Sequence, residues 1–372
     1  MRVGCVGAVS PHRLVTAEQP TYLITGGTGF LGRHILLALR RISPRSRAVM
    51  LVRDREAAER QLGGDAGALE ILPGSLLRSD DWKDDPRLAV LDGIFHLAAE
   101  VRHSRSAIGD MMRTNVEGTA TMVRLAAAKN SRLVFASTSG TVGCSPHAGG
   151  GPDEDAPYCN EVVGSWPYYA SKIRAEKEAR ALASALGAEL ITFRPPVLLG
   201  PGDHRFRSTS HLVRLLRGKL TFILDGEIHF ADVRDAANAM VLAMVHPHPK
   251  PVYHLTGHVL RLDPFFRMAA GEAGMTPAWR MLPNRLLWYV AKVNEITGLN
   301  LHAIPDPVVV EMASHHWGLQ SRYAEADLAY RSRAPEETLR DTVRWIRENH
   351  PGFSTSRESK VTAANGRVQV RR

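Results

Sequence analysis

The chain has 372 residues, enough for one large domain or a large domain with a smaller companion. Hydrophobic residues make up 44% and charged residues 23%, a globular balance that excludes a disordered polymer, and no apolar run approaches the ~18 residues that a membrane-spanning helix requires. Nearly half of the net charge of +9 sits at one end, where residues 354–372 carry Arg357, Lys360, Arg367, Arg371 and Arg372 against Glu358 alone. That stretch has few apolar residues and no aromatic side chains to stack on nucleobases, so it reads as a solvated, disordered tail and not as a nucleic-acid surface.

Residues 1–19 read as an N-terminal extension. Their apolar run, Val3–Val9, is short for a signal peptide, and a core strand begins soon after it, so a cytoplasmic location is expected. Cys5, Cys144 and Cys159 are an odd set without metal-ligand spacing, expected as free thiols in a reducing compartment. From residue 20 onward, short runs that are apolar throughout alternate with helical patterns. Tyr22–Thr25, Ala48–Val52, Leu69–Leu72, Ile94–Leu97, Leu133–Ala136 and Leu190–Phe193 predict strands buried on both faces. Between them lie helices such as Leu31–Arg41 and Met112–Ala128, where Met112, Val116, Thr119, Val123 and Ala126 recur at three- and four-residue spacing. This alternation predicts an α/β fold with a doubly wound parallel sheet over residues 20–203.

After Pro201-Gly202-Asp203 the rhythm breaks. Residues 204–227 and 248–353 predict a smaller, irregular, mostly helical region that binds the substrate, whereas 228–247, strand then helix, predicts a return to the main sheet. Within 283–300, Leu286, Leu287, Trp288, Val290, Ala291 and Val293 predict an amphipathic helix whose apolar side serves the core or a pocket wall. His246 and His248 lack a third ligand at suitable spacing, so no metal site is expected.

Directly after the first strand comes Thr25-Gly26-Gly27-Thr28-Gly29-Phe30-Leu31-Gly32, then helix. Gly26 permits a tight turn, Gly29 lets the backbone approach a pyrophosphate, and Gly32 lets helix and strand pack closely. The helix start offers unpaired N–H groups to phosphate, with Thr28, Phe30 and Leu31 beside it. The strand-before, helix-after setting is the one a Rossmann dinucleotide site requires. Arg53 ends the second strand where NAD-binding chains place an acidic residue, and Arg33 follows the last glycine. Two guanidiniums suit a 2′-phosphate, so NADP(H) is favoured, with NAD(H) as the alternative in which Asp54 takes the ribose.

Tyr168 and Lys172 stand four apart at the start of a predicted helix, on one face. A phenol titrates near ~10, and a neighbouring ammonium favours its ionised form and brings it toward working range for proton transfer. Tyr169, three from Lys172, ranks second. The fifth strand ends in Ser137-Thr138-Ser139, hydroxyls that point into the ligand crevice, and spacing alone leaves open which of them steadies a substrate oxygen.

Together these residues resemble the extended short-chain dehydrogenases/reductases, the epimerase/dehydratase-like superfamily, from about residue 20 to about 350, on the dihydroflavonol reductase and 3β-hydroxysteroid dehydrogenase side. Besides the glycine turn and Tyr168-Tyr169-Ala170-Ser171-Lys172, the resemblance rests on Phe95-His96-Leu97-Ala98-Ala99, Thr114-Asn115-Val116-Glu117-Gly118, Arg194-Pro195-Pro196-Val197-Leu198, Ala231-Asp232-Val233-Arg234-Asp235 and Glu337-Thr338-Leu339-Arg340-Asp341. It implies Thr138 as the catalytic hydroxyl, Tyr168 as proton donor and acceptor, and Lys172 on the nicotinamide ribose. It also implies Asn115 in the active-site architecture, Leu97, Ala98 and Ala99 along the cofactor channel, and Pro195, Val197 and Leu198 beside the nicotinamide.

Two departures carry information. Ser75, next to Leu76, stands where many relatives have an Asp toward adenine, and Ser139-Gly140 stand where sugar dehydratases carry an Asp-Glu pair, which argues against dehydration. The resemblance thus implies a reductase or dehydrogenase acting on a small-molecule carbonyl or alcohol, working as a homodimer. The alternatives are a nucleotide-sugar epimerase with retained NAD, a thioester or acyl reductase, and a non-catalytic NAD(P)-binding sensor.

Overall fold

The computed structural model describes residues 19–63, 69–105, 108–299 and 304–353. The basic tail and nearly all of the N-terminal extension, with Cys5, lie outside the described residues. Seven parallel strands form the main sheet in the order Val252–His254, Leu190–Arg194, Arg132–Ala136, Gly93–His96, Thr21–Thr25, Arg47–Val52 and Glu70–Pro73. The chain order reverses between Thr21–Thr25 and Gly93–His96, so a crevice opens there at the carboxyl ends of the strands.

Alternate side chains explain why these strands are apolar throughout. Tyr22, Ile24, Met50 and Phe95 face a layer built from Ile35 and Leu39 of the first helix, Phe30–Ile42, and Met240 and Met244 of the helix Val233–Val245. Leu23, Val49, Ile94 and Leu133 face the opposite layer, where Met122 and Ala126 of Gly118–Lys129 meet Ala179 and Ala183 of Pro167–Leu186. Both faces are dry, as strands buried between two helix layers must be.

The region after residue 203 departs from expectation in two ways. The strand Glu227–Asp232 does not rejoin the main sheet: it pairs in parallel with Val197–Leu199 and antiparallel with His258–Arg261 in a separate three-stranded sheet. Only its helix, Val233–Val245, returns, and the seventh main strand is Val252–His254, within the stretch assigned to substrate binding. The second lobe has its own core, including Leu212, Phe230, Phe265, Leu339 and Ile346. The two late motifs meet at the join of the lobes. Asp232 caps the helix Val233–Val245 and accepts from Thr338 Oγ1 at 3.1 Å, while Arg234 bridges Asp232 at 2.7 Å and Asp341 at 2.8 Å.

The helix Asn284–Thr297 meets its expectation only in part. Leu287 and Ala291 alone of its residues are buried, whereas Leu286, Tyr289, Val290, Val293 and Ile296 are exposed. Leu287 and Ala291 pack with Val310 in a small core cluster, as expected, while the rest of the apolar stripe is turned to solvent.

Candidate active site

The glycine turn closes the crevice from below. Gly26 has φ +70°, and a Cβ there would stand 2.8 Å from Ala98 N, so only glycine fits without strain. A Cβ at Gly32 would stand 2.4 Å from Gly26 O, the close helix-to-turn contact that the motif implies. Gly29 caps the first helix without a side-chain bond, which leaves amide N–H groups aimed at the crevice.

A hydrogen-bond relay fixes the reversal point. Ala98 N donates to Thr25 Oγ1 (3.2 Å), Thr25 Oγ1 lies 2.8 Å from His96 Nδ1, His96 Nε2 lies 3.0 Å from Thr119 Oγ1, and Thr119 donates to Asn115 O at 2.6 Å. Because Thr119 spends its proton on Asn115, it accepts from Nε2–H, so the ring carries its proton on Nε2 and Nδ1 accepts from Thr25. Burial holds His96 neutral, its pKa lowered to about 3, so the relay persists across the neutral range.

The helix Pro167–Leu186 begins with Pro167 at its first position and ends at Gly187 in left-handed geometry, the usual chemistry of a sharp start and stop. It presents Tyr168 and Lys172 to a cavity of about 1520 Å³ that Thr138 also lines. Ordinary small-molecule clefts span ~300–1,000 Å³, so this one has room for a dinucleotide and a second molecule. Burial pushes the Tyr168 phenol up to about 12, partly offset by its hydrogen bond with the Thr138 side chain. Burial thus outweighs the pull of the Lys172 ammonium, which corrects the expectation that the phenol is drawn down. Lys172 itself falls to about 8 through burial, opposed by Glu176, and its Nζ donates to Ala136 O at 2.9 Å. Tyr169 is buried within the Trp166 and Trp317 cluster, with its ring against Gly140, and its pKa lies far above the ordinary phenol value because of that burial.

Asn115 lies in a π-helical stretch, Arg113–Glu117, behind the cavity wall. It accepts from Glu100 N (2.8 Å) and donates to Glu100 O and Ser171 Oγ, both at 2.9 Å, so every polar hydrogen it has is used in tying the fourth-strand exit to the Tyr168 helix. Its place is architectural. Gly26, Thr28, Gly29, Phe30, Leu31, Arg53, Ser75, Leu76, Leu97, Ala98, Ala99, Pro195, Val197 and Leu198 all line the cavity. Gly32 packs beneath it, and Arg33 reaches sideways, its Nη1 3.3 Å from His204 Nε2. Cys144 and Cys159 are both held as thiols by burial, which raises their pKa, and Cys159 Sγ donates to Gly140 O at 3.4 Å.

Sequence reasoning missed several groups. His103 meets the Tyr168 ring edge-on at 5.9 Å, and Arg205 extends from the second lobe to the glycine turn. Phe222, Leu224, Val309, Met312 and Trp317 add an apolar patch to the cavity, which Arg207, His211, Arg214, Glu227 and His229 also line. Beneath the strand ends, Glu176 accepts from Ser137 Oγ and pairs with Arg194 at 2.6 Å in full burial. Arg194 can only donate, so His254 Nε2, 3.2 Å away, accepts, and its Nδ1–H goes to Gln320 O at 3.1 Å. This network locks the Tyr168 helix to two adjoining strands. An acidic residue one turn beyond Lys172 on the same helix face was the available signal.

Residues 22–255, more than half of the chain, match the family described as NAD dependent epimerase/dehydratase. The chain is 30% identical over 201 residues to a dihydroflavonol 4-reductase of Zea mays, an alignment covering 50% of this chain and 54% of that enzyme. It is 33% identical over 265 residues to a 4-hydroxy-2-methyl-3-oxo-4-farnesyl-3,4-dihydroquinoline-1-oxide ketoreductase of Stigmatella aurantiaca, covering 68% and 73%. The crystal structure of gox2253 superposes with a TM-score of 0.74 at 24% identity, over 89% of this chain and 98% of that one, a likeness of fold. The chain therefore belongs to the NAD-dependent epimerase/dehydratase family of extended short-chain dehydrogenases/reductases, in its dihydroflavonol reductase-like branch.

Proposed function

We propose that the protein is an NADP(H)-dependent oxidoreductase that reduces a carbonyl of a small, largely apolar molecule, or oxidises the matching alcohol. The observation that carries this reading is the meeting of Thr138, Tyr168 and Lys172 on one cavity with the glycine turn. The residues fit a dinucleotide: unpaired amides at the start of the first helix, Leu97–Ala99 along the channel, and Arg53 at the second strand's end. When bound, the dihydronicotinamide supplies the hydride. Tyr168, protonated at neutral pH, donates its phenolic proton to the carbonyl oxygen as that oxygen gains charge. Thr138 donates a hydrogen bond to the same oxygen, and Lys172 orients the ribose. In the reverse direction Tyr168 takes the alcohol proton.

Dehydration is disfavoured by space as well as by sequence. A Cβ at Gly140 would stand 2.1 Å from the Tyr169 ring, so the carboxylate that sugar dehydratases carry there has no room. The apolar patch of Phe222, Leu224, Val309, Met312 and Trp317 supports a substrate with a large apolar part, as do similar proteins named for flavonoid and farnesyl-quinoline substrates.

The test is NADPH oxidation by the purified protein against a panel of aryl and polycyclic ketones. Tyr168→Phe is expected to lower turnover by about 10²–10⁴-fold, the worth of a positioned proton donor, with NADPH binding intact. Turnover untouched by that change sinks the proposal, and isomerisation of a sugar nucleotide without net NADPH oxidation assigns an epimerase instead.

A further inference from the structure

The basic side chains around the glycine turn include one contributed from far along the chain. Arg205, from the segment that follows Pro201-Gly202, donates through Nη2 to Thr28 Oγ1 at 3.2 Å and to Gln61 Oε1 at 2.8 Å. Thr28 belongs to the glycine turn, and Gln61 to the helix Arg55–Leu62 that follows Arg53. The adjacent His204 lies 3.3 Å from Arg33 Nη1. The segment is held in this pose from behind. Asp203 Oδ2 accepts from Thr209 N and Oγ1, both at 3.0 Å, and Phe206, a non-glycine at φ +49°, packs on Trp345 and His350 with ring centroids at 5.6 Å and 4.5 Å. A left-handed conformation at a bulky residue persists only where its surroundings over-determine it, and here it directs the preceding arginine back over the crevice.

The positive charge around Arg205 is only partly compensated. Burial, Arg207 and Arg53 all lower its hold on its proton, and Asp203 opposes them only in part. Cations gathered this way cost energy that a doubly charged phosphate removes through short, charge-assisted hydrogen bonds.

We infer that Arg205 joins Arg53 as a ligand of the adenosine 2′-phosphate of NADP(H), so that the second lobe reads the cofactor. This role rests on the NADP(H) reading given above. It makes the segment 203–209 a clasp between the lobes, joined to the helix Pro335–Asn349 on one side and to the cofactor on the other.

Fluorescence titration of NADPH and NADH against wild type, Arg205→Ala and Arg205→Lys tests it. The wild type is expected to bind NADPH more tightly than NADH. Arg205→Ala is expected to weaken NADPH about tenfold to a hundredfold, the factor carried by a hydrogen bond to a charged group, with NADH changed by less than about twofold. Arg205→Lys recovers part of the loss. A wild type without preference overturns the NADP(H) reading and this role with it. A wild-type preference that survives Arg205→Ala, or an equal loss for both cofactors as a merely structural contact gives, overturns the role of Arg205 alone.

Discussion

Lys172 is the residue whose chemistry is most finely poised. Burial lowers its pKa to about 8 while Glu176, one turn on, opposes the shift, and Tyr168 at about 12 keeps its proton throughout the working range. Below about 8 the ammonium is charged and holds the ribose; above it the charge is lost. The reductive rate is therefore expected to fall as pH rises through that value, and Lys172→Met is expected to be slower and without the inflection. Measured kcat against pH for both proteins checks this, and identical profiles exclude the assignment. Much of this site was legible in the chain because it is local: the glycine turn spans eight consecutive residues and Tyr168 and Lys172 share one helical turn. Arg205 was not, because it meets Thr28 across 177 positions of sequence, and only the folded second lobe closes that distance. The phenol's shift was misjudged for a related reason. A neighbouring ammonium is visible in a motif, but the burial that outweighs it belongs to the packed helix.

At the scale of elements, apolar spacing announces a helix without saying which way it faces. In Asn284–Thr297 the inner side uses Leu287 and Ala291, against Val310, Phe222 and Leu282, while Val293 and Ile296 stand 56% and 81% exposed. Truncation and charge placement on this one helix should thus have opposite outcomes. Leu287→Ala is expected to cost ~2–5 kcal/mol by opening a cavity, whereas Val293→Lys with Ile296→Lys is expected to stay within about 0.5 kcal/mol per site and to raise solubility. Urea midpoints of the two variants measure the contrast, and equal losses mean that the helix is rotated from the pose described. The same ambiguity misplaced Glu227–Asp232. A strand followed by a helix looks like one more parallel unit, yet pairing with Val197–Leu199 and His258–Arg261 is decided by partners far along the chain. Val252–His254, only three residues long, leaves too little pattern to read. The first six strands were legible because each is apolar on both faces, which only a sheet between two helix layers demands.

Across the whole molecule, buried imidazoles set a limit on acid tolerance. His96 is lowered to about 3, and His211, His229 and His254 to about 4, each chiefly by burial. Unfolded, these rings take protons near ~6.5, so between that pH and about 4 the unfolded chain binds more protons than the native one. Stability is therefore lost as pH falls through this window, on the order of a few kcal/mol for each ring. Urea midpoints from pH 7.5 to 4.5 should decline steadily, and a flat series would show that the rings are not held neutral. The interleaving of the lobes has its own consequence for biosynthesis. Leu190–Arg194 is the sixth main strand to be made, and its outer neighbour, Val252–His254, is made only after the intervening strand Glu227–Asp232 and the helix Val233–Val245. During translation, the growing sheet therefore keeps a bare hydrogen-bonding edge beside Leu190–Arg194 until some sixty further residues have left the ribosome. Over that interval the nascent chain is most open to pairing with a neighbour and most dependent on chaperones.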